Sequence, residues 1–187
     1  MSFNDIAPSA GKTLISEPFL KDLYFRRSVV MLAEHTEEGS FGLVLNKPIE
    51  SRLNDIVDGF TDFNPRLYLG GPVQTDSLFF IHKFGNLIEG SLPVQGNISW
   101  GGHIDQIKEL IVSGVVKEDD IRFFIGYSGW SAHQLNDELK RNSWVVSDMD
   151  MENLMEYESS DMWEKALEKL GGKFREWKTY PADPMMN

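Results

Sequence analysis

Cysteine is absent from the sequence, and several kinds of chemistry are excluded with it. Without thiols the chain forms no disulfide, no cysteine-ligated zinc site and no cysteine nucleophile. Long apolar runs are absent too, since the longest, such as residues 29–33, are far shorter than the roughly 20 residues of a membrane-spanning helix. The N-terminal residues show no basic region followed by an apolar core. We therefore expect no secretion signal, no membrane association and a cytoplasmic location.

Basic residues are scarce relative to acidic ones. The chain has 18 Lys and Arg against 29 Asp and Glu, which gives a net charge of −11. A protein with this charge repels nucleic-acid phosphates at long range. Neither a helix-turn-helix nor a zinc finger nor an RNA-recognition motif is evident. The sequence therefore argues against direct DNA binding and favours a protein partner over a nucleic acid, although it does not identify that partner.

Apolar residues are plentiful, and their spacing indicates the fold class. With 187 residues, 41% of them hydrophobic, the chain suits one domain with a packed core. The β-like runs cover residues 12–16, 27–33, 41–45, 67–69, 77–83, 97–100, 121–125 and 143–147. An amphipathic stripe follows Ile104, and the pairs Ser131/Gln134 and Asp161/Glu164 match capping boxes that would begin two further helices. Strands come first and helices later without regular alternation, so the pattern predicts an α+β fold.

The stretch Gly126-Tyr127-Ser128-Gly129 follows an apolar run and resembles the nucleophile elbow of a hydrolase. That motif needs a second Gly two residues after the Ser, where this chain has Trp130. It also needs an acid and then a His further along, whereas no acid separates Ser128 from the only later His, His133. We therefore reject the elbow and predict a tight strand-to-helix turn, which Ser131 would cap.

Metal and phosphate sites also lack their usual patterns. The four His residues include no close pair and no His-Glu-x-x-His motif, so we predict no metal site and no cofactor. The Gly70-Gly71-Pro72 tripeptide has no Walker lysine and predicts a turn, although its backbone amides could hold a small anion. The pair Arg26-Arg27 precedes a buried-looking strand. One of these arginines could pair with a carboxylate inside the fold, or the pair could contact an anion or a nucleic acid.

Four motifs in order resemble the AlgH/YqgE-like family of bacterial proteins. These are residues 25–30 (FRRSVV), residues 42–48 (GLVLNKP), residues 69–73 (LGGPV), and residues 126–130 (GYSGW) with Gln134 and Leu135. The resemblance spans about residues 11–172 of a single domain, 1–187, and leaves 173–187 as a C-terminal extension. One departure is His133, because family members usually have Gly before the Gln-Leu pair.

The resemblance implies a single compact domain with a coiled, mixed β-sheet or partial barrel and helices packed outside. It also carries a label of transcriptional regulator, without any established catalytic residue or cofactor. We therefore expect a regulatory or adaptor protein, without evident catalysis, that acts through protein or other macromolecular contacts. The alternative is a small-molecule or anion-binding protein, or an enzyme, that uses the Gly-Gly-Pro and Gly-Tyr-Ser-Gly turns. The candidate binding surface consists of Arg26, Arg27, Asn46, Lys47, Pro48, Gly70, Gly71, Pro72, Tyr127, Ser128, Trp130 and Gln134.

Overall fold

Ten strands build one sheet in the computed structural model, which describes residues 5–60 and 62–181. They are β1 (Thr13–Ser16), β2 (Val29–Thr36), β3 (Gly39–Val44), β4 (Pro48–Arg52), β5 (Arg66–Leu69), β6 (Val73–His82), β7 (Leu92–Gln95), β8 (Ile98–Trp100), β9 (Ile121–Ser131) and β10 (Trp144–Ser147). All eight strands expected from the sequence are present. β4 and β7 were not expected: each contains a proline and neither has an inner residue that is fully buried, so neither carries a strong strand pattern.

The sheet follows the order β10-β1-β2-β3-β9-β6-β8-β7, with β5 beside β9 and β4 beside β5. Nearly all neighbouring strands are antiparallel, and the β5–β9 pair is parallel. β10 and β7 lie at opposite ends of this order, so the sheet is open and does not close into a barrel. Helices and strands are mixed along the chain, which confirms the α+β class.

Strand β9 connects the two halves of the sheet. Its first half, Ile121 to Ile125, pairs with β5 and β6, whereas residues 128–131 pair with β3. Gly126 lies between the two halves with a φ of 69°, a backbone angle that favours glycine. The predicted tight strand-to-helix turn at Gly126 is therefore wrong. A single left-handed residue redirects the strand there, and the strand continues to Ser131.

Four helices cover the sheet through three apolar clusters. They are α1 (Ile104–Val112), α2 (Gln134–Lys140), α3 (Met151–Met155) and α4 (Met162–Leu170). Helices α3 and α4 pack on the first cluster, around Val29, Met31 and Leu43. Helix α1 packs on the second, around Leu67 and Phe123, and α2 packs on the third, with the buried Trp130 and Trp144. Within the described ranges, no helix is long and apolar enough to cross a membrane.

Neither predicted capping box forms, although both helices exist. His133 occupies the N-cap of α2, while Ser131 still belongs to β9. The Gln134 side chain nevertheless accepts a hydrogen bond from the Ser131 backbone N–H at 3.1 Å, so half of the device is present. At α4, Asp161 is the N-cap but makes no side-chain capping bond. A 3-10 helix (Gly172–Thr179) follows α4 and buries Trp177 in the first cluster.

Candidate functional site

Three glycines from two of the sequence motifs bring separate strands into backbone contact. A Cβ atom on Gly70 or Gly71 would lie well inside 3.0 Å of the β9 backbone, at Gly126 and at Tyr127 respectively. Conversely, a Cβ atom on Gly126 would lie 2.5 Å from the carbonyl oxygen of Gly71. Only glycine lets the chain after β5 approach β9 this closely. The Gly-Gly-Pro and Gly-Tyr-Ser-Gly motifs therefore form a seam between strands, which we call the glycine seam (Gly70, Gly71 and Gly126).

The backbone amide and carbonyl of Gly70 in the glycine seam are already engaged. The Gly70 N–H donates to the Ile125 carbonyl at 2.9 Å, and Pro72 has no N–H. The Ser128 side chain is fully buried, and its hydroxyl donates to the Gly70 carbonyl at 2.9 Å. Ser128 is therefore placed as a structural residue, and the amides that an anion site would need are occupied at Gly70 and missing at Pro72.

An open cleft of about 500 Å³ lies beside this part of β9. It is lined by Tyr127, Gly129 and Trp130, but also by Glu34 and Glu38. These two carboxylates would repel an anion from the cleft. The geometry around the Gly-Tyr-Ser-Gly stretch thus gives no support to an anion-binding role there.

Trp130 and Gln134 share one acceptor, Glu138. Its carboxylate accepts from the indole N–H of Trp130 at 2.9 Å and from that of Trp144 at 2.7 Å. It also accepts from the Gln134 amide at 3.0 Å. Phe25 stacks on Trp130 and meets Trp144 edge-on. This network fixes α2 against the sheet, and Glu138, which sequence reasoning missed, is its centre.

Tyr127 belongs to a different layer from Trp130. Its ring lies 4.9 Å from that of Phe41 and 5.5 Å from that of Phe79, and it packs against the first cluster. Trp130 belongs to the third cluster. Tyr127 and Trp130 both line the open cleft beside β9, but their rings pack in different clusters.

The backbone angle of His133 shows why glycine suits this position. Its φ of 66° lies in the left-handed region, where glycine is unstrained. The side chain is exposed at the start of α2 and lines an open cleft of about 680 Å³ with His35 and Asn136. The structure thus assigns a backbone role to this position.

Asn46 holds the entry to β2. Its side-chain oxygen accepts from the Val29 N–H at 3.0 Å, and its amide donates to the Arg27 carbonyl at 2.9 Å. With 8% of its surface exposed, Asn46 is largely unavailable to a partner. Its neighbour Pro48 is exposed, as is Pro72, which follows β5 in the chain.

Arg26, Arg27 and Lys47 form a cationic cluster in this acidic chain. The Lys47 ammonium donates to the Arg26 carbonyl at 2.6 Å, and burial together with the charges of Arg26 and Arg27 lowers the Lys47 pKa. No carboxylate of the described residues lies within 4.0 Å of the Lys47 ammonium. The cluster is therefore a place where like charges accumulate.

Arg27 is tied into the fold by several contacts. It lies over the Trp163 ring at 4.9 Å, donates to the Tyr180 carbonyl, and lies 4.0 Å from the carboxylate of Glu164. Its Nε atom is buried and has no hydrogen-bond partner among the residues that the structure describes. Of the two alternatives for the Arg26-Arg27 pair, the carboxylate contact is thus present but long, and it lies at the surface, where Glu164 is half exposed.

Exposed apolar side chains adjoin the cationic cluster. The loop of residues 17–28 presents Phe19, Leu23 and Tyr24, with exposed fractions of 44%, 75% and 45%. Phe19 also contacts the Tyr180 ring, with 5.1 Å between centroids. We call Phe19, Leu23, Tyr24, Arg26, Arg27 and Lys47 together the loop surface. Of the predicted binding residues it contains three, Arg26, Arg27 and Lys47.

A buried Ser–His pair lies outside the predicted surface but is not arranged for catalysis. The His82 Nδ1 atom accepts from the Phe84 N–H at 3.1 Å, so Nε2 carries the proton and donates to the Gly101 carbonyl at 2.9 Å. The Ser91 hydroxyl lies 3.2 Å from this Nε2. A protonated Nε2 cannot remove a proton from Ser91, so this pair is not a nucleophile and base.

The buried His82 predicts a pH dependence of stability. Burial lowers its pKa, against the smaller opposite effect of the Gly101 hydrogen bond. In the unfolded chain His82 has its ordinary pKa near 6.5 and therefore binds a proton more readily than in the folded protein. The contribution of neutral His82 to the free energy of unfolding is thus complete above about pH 6.5 and is lost as the pH falls through the lowered pKa. We expect His82→Asn, which keeps an acceptor for Phe84, to show a flatter loss of stability between pH 7.5 and 5. Urea unfolding at several pH values measures this, and parallel curves for the two proteins would refute it.

The described ranges contain no group of three or more His, Asp or Glu side chains that could hold a metal ion.

Comparison with known proteins gives consistent matches. The AlgH-like family model matches residues 13–175. A UPF0301 protein of Bacteroides thetaiotaomicron is 47% identical over 185 residues, which cover 98% of this chain and 94% of the relative. A UPF0301 protein of Bacteroides fragilis is 45% identical with the same coverage.

Two solved structures resemble this fold. The solution structure of AlgH from Pseudomonas aeruginosa superposes with a TM-score of 0.72 at 29% identity, covering 96% of this chain and 98% of that one. The crystal structure of DIP2367 from Corynebacterium diphtheriae has a TM-score of 0.79 at 18% identity, covering 94% of each chain. The second match concerns the fold alone.

Proposed function

Since this chain belongs to the AlgH-like family, we propose that it is a non-catalytic, cytoplasmic adaptor that regulates by binding an acidic segment of a partner protein through the loop surface. One observation carries the proposal. Lys47 lies beside Arg26 and Arg27 with its pKa lowered, and no carboxylate of the described residues is within 4.0 Å of its ammonium. The three cations lie together in a chain whose net charge is −11.

Like charges in one place cost free energy in the isolated protein, and an anionic partner relieves that cost. The neighbouring Phe19, Leu23 and Tyr24 supply the apolar contact area that protein interfaces use, and aromatic residues are enriched there. A DNA duplex would meet the same cations but also the acidic remainder of the chain. These charges favour a local acidic peptide segment over an extended polyanion.

The proposal is tested by photo-crosslinking from the loop surface in the producing cell. A photoreactive amino acid replaces Leu23, and the matched control replaces Val112, which is 80% exposed at the end of α1. We expect a discrete product from position 23 that is absent from position 112 and decreases with added salt, because exposed charge pairs are screened. Mass spectrometry should place the link next to an acidic segment of the partner.

Three outcomes count against this function. The same products from positions 23 and 112 would show non-specific contact. A link beside a neutral or basic segment would contradict the charge argument. Salt-sensitive binding of a labelled DNA duplex, measured by fluorescence anisotropy, that the crosslinked partner does not displace would favour a nucleic-acid regulator instead.

A further inference from the structure

Arg122 is a buried cation that the proposed function does not use. It is the second residue of β9 and has only 9% of its surface exposed. Its guanidinium donates to the Leu45 carbonyl at 2.8 Å and to the Met155 carbonyl at 3.1 Å, and it lies over the Tyr68 ring at 4.5 Å. A buried arginine would ordinarily be neutralised by an adjacent carboxylate.

No carboxylate of residues 5–60 and 62–181 forms an ion pair with Arg122 at 4.0 Å or less. Its two hydrogen bonds use two of the five N–H groups of a guanidinium, and both acceptors are uncharged. Asp119 and Glu158 act on it only from a greater distance, and burial outweighs them in setting its pKa. Among the described residues these two bonds leave three N–H groups of the guanidinium for a further acceptor.

A small cleft opens onto this guanidinium. Its volume is about 130 Å³, and its lining includes Arg66, Tyr68 and Arg122 together with Glu118 and Asp119. At about 30 Å³ for each water in the liquid, this is the space of roughly four water molecules. The cleft thus suits a molecule, or part of a molecule, of a few non-hydrogen atoms.

We propose that this cleft binds a small amino acid. The carboxylate accepts hydrogen bonds from Arg122 and Arg66, since guanidinium groups match carboxylate geometry. The ammonium faces Glu118 and Asp119 at the exposed rim, and the Tyr68 ring forms one wall.

The mixed charge of the lining selects this class of ligand. A simple or doubly charged anion would meet Arg122 but be repelled by Glu118 and Asp119. A simple cation would be attracted by Glu118 and Asp119 but repelled by Arg122. A zwitterion satisfies both halves of the cleft at once.

The test is an NMR titration of the 21.3 kDa protein with glycine and alanine as probes. We expect the side-chain Nε–H signal of Arg122 to shift and saturate with either probe. Acetate and methylammonium, each carrying half of the zwitterion, should bind at least about tenfold more weakly, since each loses one set of charge-assisted hydrogen bonds.

Arg66→Gln provides the variant, because Arg66 is exposed and its loss leaves the buried core intact. We expect it to weaken glycine binding about tenfold or more. The matched control is Arg141→Gln, an exposed arginine at the end of α2, which should leave binding unchanged. A glycine concentration of 50 mM is roughly ten times the largest dissociation constant of interest. If the Arg122 signal does not shift at that concentration, the proposal is overturned. Equal affinity for acetate and glycine, or no effect of Arg66→Gln, would overturn it as well.

Discussion

Replacing Gly71 with alanine is expected to lower the free energy of unfolding by about 3 kcal/mol or more, at the upper end of single-residue effects. The added Cβ would overlap the carbonyl group of Tyr127 and the N–H of Ser128. These are backbone atoms in the middle of β9, so they cannot move aside as the end of a flexible side chain does. Relief would require β9 and the chain after β5 to separate, which would break the Ser128 hydrogen bond to Gly70.

Gly114→Ala is the matched control for Gly71→Ala. Gly114 follows α1 with a φ of 74°, and no atom lies within 4 Å of the position that its Cβ would take. Alanine at this position therefore costs only the strain of a Cβ atom on a left-handed backbone, about 1 kcal/mol. Urea unfolding measures both variants. Equal losses of unfolding free energy would contradict the proposed role of the glycine seam, because the close approach of Gly71 to β9 would then add nothing to the backbone strain.

Glu138→Ala is expected to destabilise the protein by at least about 2 kcal/mol. The substitution removes the carboxylate that accepts the indole N–H groups of Trp130 and Trp144. Both tryptophans are buried, with 5% and 1% of their surfaces exposed. A buried donor that loses its acceptor costs the full price of its desolvation.

Glu138→Gln separates the hydrogen bonds from the charge. Its amide oxygen can accept from both indoles, so we expect a loss of about 1 kcal/mol, which reflects the weaker uncharged acceptor. Urea unfolding and tryptophan fluorescence measure the two variants. If Glu138→Ala and Glu138→Gln lost the same free energy of unfolding, Glu138 would act through the helix propensity of α2 or through surface charge. The hydrogen-bond network would then not be what holds α2 against the sheet.

The apolar pattern of the sequence predicts the strands better than it predicts their connection. Residues 29–33 and 121–125 are nearly continuous apolar runs, and this pattern was sufficient to predict two buried strands. The interpretation of Gly126 failed because a glycine after an apolar run normally signals a turn, whereas here the contact with Gly71 keeps the strand going. Such a contact joins residues 55 positions apart, 126 against 71, and no local pattern contains it.

The candidate site was predictable in part for the same reason. Arg26, Arg27 and Lys47 were identified by charge and motif, and the structure places them together. Asn46, Ser128 and Trp130 come from the same motifs, yet each is buried with its polar group satisfied. Glu138 and Arg122 carry no sequence signal, because a single Glu in a helix or Arg in a strand acquires its role only from the residues packed around it.

The central claim is that most motif residues hold the fold and that binding is left to the cations of the loop surface. Crosslinking from position 23 in a Lys47→Glu background tests it most directly. The substitution removes a like charge beside Arg26 and Arg27 together with the hydrogen bond to the Arg26 carbonyl. We expect these two effects to oppose each other, so the urea midpoint should change little while the crosslinked product should be lost. Lys47→Arg, which keeps the charge, should retain the product. A product that persists in folded Lys47→Glu would contradict the claim.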